Sequence, residues 1–240
     1  MTAAYRHELK YLITDAVCHE LSRVLAGVMP HDSHAGPAGV YGIRSLYFDD
    51  LYRTAYREKL DGVEIRKKYR IRIYNCSDRM ISLECKHKNG AYIYKESVSL
   101  TREEYGKMLT GDYAFLLKKD APVAREFFVD ARTSLIRPAV IVDYDREPFV
   151  NDIGSVRITF DKNVRAIAPE DDLFRETAPS YAVFPPGQMI LEVKFTGRLP
   201  EKIRGLFRSY PLTQTTASKF CLCLDRLEGR TGAPVLKARP

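Results

Sequence analysis

Polar and apolar residues alternate with a period of two through much of the chain, the pattern of strands whose two faces meet different surroundings. Between positions 65 and 73, Arg66, Lys68, Arg70 and Arg72 share one face, and Ile65, Tyr69, Ile71 and Ile73 share the other. Glu8 and Lys10 alternate with Leu9 and Tyr11. Glu84, Lys86 and Lys88 alternate with Leu83 and Cys85, and Glu192 and Lys194 with Leu191, Val193 and Phe195. The pattern predicts strands over 7–13, 41–48, 63–74, 80–88, 92–100, 139–146, 155–161 and 189–195, with Asn89-Gly90 a tight hairpin turn. Helical patterns fall at 15–27, 51–59, 122–135, 200–209 and 217–227; Thr14 is placed to cap the first. Thr101-Arg102-Glu103-Glu104 is a capping box that opens a further helix. The proline-rich segment 169–188 reads as a long loop or lid.

A solvated sheet face usually mixes both signs of charge with Ser, Thr and Gln, whereas these faces are mainly Lys and Arg. Two like charges roughly 6 Å apart repel by about 3 kcal/mol at an effective dielectric of 20. A sheet that stacks cations side by side therefore calls for an anion between them. With helices covering the apolar faces, the strands are expected to close into an antiparallel barrel, polar side inward, in an α+β fold. No linker splits the chain, so residues 1–230 are read as one domain and 231–240 as a disordered tail.

Composition narrows the partner without naming it. The 240 residues carry a net charge of +7, which favours an anion but does not separate nucleic acid, acidic lipid and phosphorylated small molecules. No apolar run approaches the roughly 20 residues of a membrane span, and the N-terminus lacks a signal-peptide stretch, so a cytoplasmic protein is expected. The five cysteines show no metal-ligand rhythm and read as buried free thiols. The run Arg66-Lys67-Lys68 alternates within a strand and no nucleic-acid-binding module accompanies it, so nucleic acid is not the expected partner.

Several short segments together resemble a known family. They are R-H-E-L-K-Y at 6–11, S-L-Y-F-D at 45–49, K-Y-R-I-R at 68–72 and L-E-C-K at 83–86, then Y-K-E-S at 94–97 and Y-D-R at 144–146. V-R-I-T-F-D at 156–161, L-E-V-K-F at 191–195 and S-K-F at 218–220 complete the set. In order and spacing they resemble the bacterial vacuolar transporter chaperone (VTC) polyphosphate polymerase domain, within the triphosphate tunnel metalloenzyme superfamily. The resemblance implies a closed tunnel of eight antiparallel strands with helices outside. It also implies transfer of the ATP γ-phosphate to a growing inorganic polyphosphate chain with Mn²⁺ or Mg²⁺. The implied phosphate ligands are Lys10, Arg70, Arg72, Lys86, Lys95, Arg146, Arg157 and Lys219, with Tyr144 and Ser218 as hydrogen-bonding neighbours. Lys194 is a further phosphate-binding candidate on the face of Glu192. Lys10, Arg70, Arg72, Arg146 and Lys219 are the expected catalytic set. Glu192 is the implied metal ligand; Glu8 either assists it or holds Lys10.

One departure from the superfamily bears on the reaction. Its triphosphatases and cyclases begin with a Glu-x-Glu-x-Lys strand, but here Arg6 stands at the first carboxylate position. That change weakens two-metal hydrolysis and suits a cation-rich polymerase. A tunnel hydrolase of triphosphates and a non-catalytic polyphosphate binder remain alternatives. With no membrane helix in the sequence, coupling to translocation would need a separate membrane protein. Glu84 reads either as a salt-bridge partner or as a catalytic acid.

Overall fold

The computed structural model describes residues 6–90, 92–152 and 155–230; the expected tail at 231–240 and the side chain of Arg6 lie outside them. Strand β1 (Arg6–Thr14) runs into helix α1 (Asp15–Ala26), whose first turn Thr14 caps by accepting from the Val17 amide. After β2 (Tyr41–Asp49), the Asp49 carboxylate accepts from the amides of Ala55 and Tyr56 and so starts α2 (Thr54–Leu60). Strands β3 (Ile65–Tyr74), β4 (Ser77–Asn89) and β5 (Tyr92–Leu100) form a meander. The Thr101–Glu104 capping box opens α3 (Arg102–Leu109), and Pro122 begins α4 (Pro122–Thr133). The second half contains β6 (Arg137–Asn151), β7 (Val156–Ile167), β8 (Tyr181–Ala182) and β9 (Gln188–Thr196). It closes with α5 (Glu201–Arg208), β10 (Thr213–Gln214) and α6 (Lys219–Leu227).

The expected closed, eight-stranded tunnel is corrected by the strand order. One antiparallel sheet of ten strands runs β10-β1-β9-β7-β6-β2-β3-β4-β5, with β8 added to β7, and its end strands do not pair with each other. The outer edge of β1 is taken by segment 213–215: Tyr11 pairs with Gln214, Leu12 with Thr213, and the Thr215 amide donates to the Lys10 carbonyl at 2.9 Å. Backbone groups satisfied in this way have nothing left to offer β5. The sheet nevertheless curls. In a flat sheet β1 and β4, six steps apart in that order, would be separated by roughly 29 Å at about 4.8 Å per strand. Yet the Lys86 ammonium lies 2.9 Å from the Glu8 carboxylate. The result is a deep trough bridged by side chains rather than a barrel closed by backbone hydrogen bonds.

The placement of the helices is corrected too, because not all of them lie outside. On α6, Phe220, Leu222, Cys223 and Leu224 pack against Val140, Val142, Tyr144, Val164 and Ile190. Tyr144 and Ile190 share faces with Arg146 and Glu192, so α6 fills one part of the concave side. The outer face carries two other clusters, one under α3 and α4 and one under α1 and α5. Segment 169–188 divides between the two faces: Phe184 joins the α6 cluster, whereas its first part packs outside. Leu173 is fully buried in the outer cluster, and Arg44 donates to the Leu173 and Arg175 carbonyls at 3.2 and 2.6 Å. Among the described residues no helix is long and apolar enough to cross a membrane.

Phe127 of α4 is fully buried and meets Phe48, Tyr69 and Tyr113 edge-on, with ring centroids 5.1, 5.1 and 5.3 Å away. Truncating such a ring removes its contacts and leaves a cavity. Phe127→Ala is expected to cost about 3–5 kcal/mol in a urea unfolding titration; a loss below about 1 kcal/mol would show that this cluster does not anchor α4.

Candidate active site

Register carries one face continuously across the trough. Lys10 stands opposite Glu192, and Glu192 opposite Thr159. Glu8 faces Lys194, and Lys194 faces Arg157. Arg146 pairs with Asp161 and, on its other side, with Tyr41. Farther along, Ser45 faces Arg72, Tyr47 faces Arg70, Arg70 faces Glu84, and Lys68 faces Lys86, itself opposite Lys95. Period-two alternation on paired strands therefore gathers nearly every candidate on one surface.

Two charge clusters form there. In the first, Asp161 is fully buried and accepts from Arg146 through two bonds, at 2.7 and 2.9 Å, while Lys219 of α6 also contacts it. Glu192 lies 3.2 Å from the Lys194 ammonium and 3.5 Å from Arg146. Glu8 holds Lys10 at 3.2 Å, and Lys10 also donates to the Ala217 carbonyl at 3.3 Å. Burial works against ionising Glu192, but Lys194, Lys10 and Lys219 outweigh it and hold its carboxyl well below the usual range. Burial likewise opposes the charge on Lys219, yet Asp161 and Glu192 keep its pKa above that of an ordinary lysine. Lys194 goes the other way: burial pushes it down to about 8 despite Glu192 and Glu8.

The second cluster centres on Arg70 and Arg72. Arg70 grips Glu84 at 2.5–2.7 Å and donates to the Tyr47 hydroxyl at 3.0 Å, while Lys95 takes the other Glu84 oxygen at 2.6 Å. Burial resists ionising Glu84, but Arg70, Arg72 and Lys95 bring its carboxyl down to about 2. Glu84 is thus a salt-bridge partner. Arg72, 9% exposed, reaches only hydroxyls: Ser45 at 3.3 Å and Tyr144 at 3.4 Å. Lys68 donates to Ser218, the cap of α6, at 3.3 Å and lies 4.9 Å from the Phe220 ring centre; burial pushes its amine down to about 8. Among the described residues, neither Arg72 nor Lys68 has a carboxylate within 4 Å.

Arg157 stands at the edge, bound to Asp32 at 2.5 Å and to the Tyr41 hydroxyl at 2.9 Å. Sequence reasoning missed Asp161, Tyr47, Ser45 and the part played by Lys68. Asp161 shares parity with Arg157 at the end of V-R-I-T-F-D, a signal that was present. The carbonyl of Ala217 left none.

The sequence matches the VTC domain family over residues 5–228, so the chain belongs to that family. No curated protein matches it significantly. Among solved structures it resembles a Hippeastrum protein classed as an adenylyl cyclase and described with a dominant triphosphatase activity. Identity is 12%, TM-score 0.55, and the match covers 95% of this chain and 97% of that one. A Bacillus halodurans protein classed as an adenylate cyclase matches at 13% identity and TM-score 0.48, covering 87% and 89%. A Pyrococcus horikoshii protein does so at 15% and 0.48, covering 94% and 100%. At 12% identity the likeness to the Hippeastrum protein shows a shared fold.

The two depressed lysines give a signed pH dependence. With pKa values of about 8, Lys68 and Lys194 are mostly charged at pH 7 and mostly neutral at pH 9. An anion binds their charged forms, so tripolyphosphate affinity should fall as pH rises from 7 to 9, with proton uptake on binding at pH 8.5. Calorimetry in two buffers of different ionisation enthalpy measures that uptake, and Lys68→Arg should reduce it. Binding at pH 8.5 with no proton uptake would contradict the assignment.

Proposed function

We propose that this protein is a polyphosphate polymerase that transfers the γ-phosphate of ATP to the end of a polyphosphate chain lying in the trough. The observation that carries a phosphate ligand is Arg72, a buried guanidinium that faces the concave side with only hydroxyl partners. Buried charges are normally paired, and a guanidinium fork matches two phosphate oxygens. The polymerase form of the reaction rests on family membership and on Arg6 at the first carboxylate position.

The chemistry asks mainly for positioning and charge neutralisation. A terminal phosphate oxygen of the acceptor attacks the γ-phosphorus in line; the new P–O bond forms as the bond to the β-phosphate oxygen breaks, and ADP leaves with that electron pair. Arg70, Arg72, Lys86 and Lys95 would hold the chain. Lys10, Arg146, Arg157, Lys194 and Lys219 would surround the transferring group, with Tyr144 and Ser218 donating hydrogen bonds.

The residues also fit a hard divalent cation. Glu192 and Glu8 both lie below the usual carboxylate range, and the Thr159 hydroxyl opposite Glu192 is buried with no hydrogen-bond partner among the described residues. All three offer oxygen, the donor that Mg²⁺ and Mn²⁺ prefer. A cation held there would neutralise phosphate charge.

A second reading, a triphosphatase, is favoured by one observation: α6 occupies part of the concave side, which shortens the space for a polymer. It also accords with the triphosphatase activity described for the Hippeastrum protein. Incubation with ATP and Mn²⁺, with long-chain polyphosphate resolved from orthophosphate, separates the two. Polymer is expected; orthophosphate alone would establish the hydrolase. Glu192→Gln and Lys219→Ala should each cut turnover about a hundredfold or more while weakening triphosphate binding less. Thermal melting checks that both remain folded. Folded variants turning over at the wild-type rate would overturn these assignments.

A further inference from the structure

The outer side of the sheet carries ligand-type side chains that the trough does not use. Cys85 and His87 sit two apart on β4, so both point to the same face, toward α4. Glu96 of β5 pairs directly with Cys85 across the strands, and α4 contributes Glu126. Cysteine sulfur, imidazole nitrogen and the Glu126 carboxylate all lie within 4.8 Å of one another. The His87 Nε2 is 3.3 Å from an oxygen of Glu96 and 3.3 Å from an oxygen of Glu126. It is buried, yet makes no hydrogen bond among the described residues.

The donors of Cys85, His87 and Glu126 suit a shared metal ion, while the Glu96 carboxylate touches His87 but lies outside that mutual group. In a tetrahedral zinc site with Zn–N and Zn–O bonds of about 2.0–2.2 Å, neighbouring ligand atoms stand about 3.3–3.5 Å apart. The surroundings fix the donors. The His87 ring stacks on Tyr94 with centroids 4.4 Å apart and planes 7° from parallel. Lys67 binds the other oxygen of Glu126 at 2.8 Å and thereby leaves the Oε2 atom turned toward His87. Cys85 is fully buried at the base.

We propose that Cys85, His87 and Glu126 hold a zinc ion, separate from the trough, that clamps α4 to β4, with Glu96 of β5 beside His87 completing the set when its carboxylate turns to the ion. With Glu96 as the fourth ligand no position stays open, and the ion is structural rather than catalytic. The sulfur and imidazole donors favour zinc over Mg²⁺ or Mn²⁺, for which the all-oxygen groups of the trough are suited. The sequence hid this site because a Cys-x-His pair is a metal signal only when a strand turns both residues one way and a distant helix supplies the remaining donors.

The test uses the full chain without an affinity tag, stripped of metal with EDTA and then titrated with Zn²⁺ or Co²⁺. Wild type should take up one tight equivalent of Zn²⁺, melt at a higher temperature with it, and show a thiolate-to-cobalt charge-transfer band with Co²⁺. Cys85→Ser should abolish that band, and Glu126→Gln, a half-exposed position expected to fold, should weaken zinc binding at least about tenfold. Glu192→Gln should leave both readouts unchanged, which distinguishes this site from the trough. Absence of the band in wild type, or zinc affinity unchanged in Glu126→Gln, would overturn the proposal and leave His87 as an ion-pair partner of the two glutamates.

Discussion

The Asp161 carboxylate joins three elements that approach from different parts of the chain. It accepts from Arg146 on the neighbouring strand and from Lys219 at the first turn of α6, and it is completely buried. Without it two buried cations would face each other with only Glu192 to share. Burial raises the cost of its charge, but Arg146 and Lys219 more than offset that cost and hold its carboxyl below the usual range. The inward position of α6 depends on this contact at one end and on the Phe220–Leu224 packing along its length.

The same arrangement explains why the trough is charged but not neutral. Glu8, Glu84, Asp161 and Glu192 each serve two or more cations, so they place side chains without cancelling the excess. What remains is concentrated at Arg72 and Lys68, where desolvated charge meets hydroxyls and an aromatic ring. A protein tolerates such groups when their stabilising partner arrives with the ligand. Structure and proposed chemistry meet at this point: the cations are held in place before the phosphate binds, and binding relieves their mutual repulsion.

Much of this was legible in the sequence because strand parity is a local property. The alternation of Arg66 to Arg72 with Ile65 to Ile73 shows which residues share a face, and Thr14 and Thr101 mark helix starts by capping chemistry alone. Strand order is not local. Nothing in 213–215 announces that it takes the edge of β1 beside Tyr11 and Leu12, nor do the strand sequences announce that the two ends of the sheet stay unpaired with each other. The amphipathic pattern of α6 likewise shows one apolar face but not which side of a curved sheet it meets. Asp161 and Glu84 have the right parity, yet an acid among cations reads equally as ligand or as partner until distances decide it.

On the proposed function Arg72 is held in the free protein at a cost that a phosphate ligand repays, and two pairs of melting curves, wild type and variant with and without ligand, test this. Arg70 and Lys95 still hold Glu84 when Arg72 is removed. Replacing this buried charge, which no carboxylate among the described residues contacts directly, by an apolar residue of similar length chiefly removes its desolvation cost. Arg72→Met should therefore melt at or above the wild-type temperature without ligand. Tripolyphosphate at about a hundred times its dissociation constant should stabilise wild type by about 2.7 kcal/mol, or roughly 5–10 °C, and the variant much less. A variant that melts well below wild type without ligand, yet gains as much from tripolyphosphate, would contradict the account.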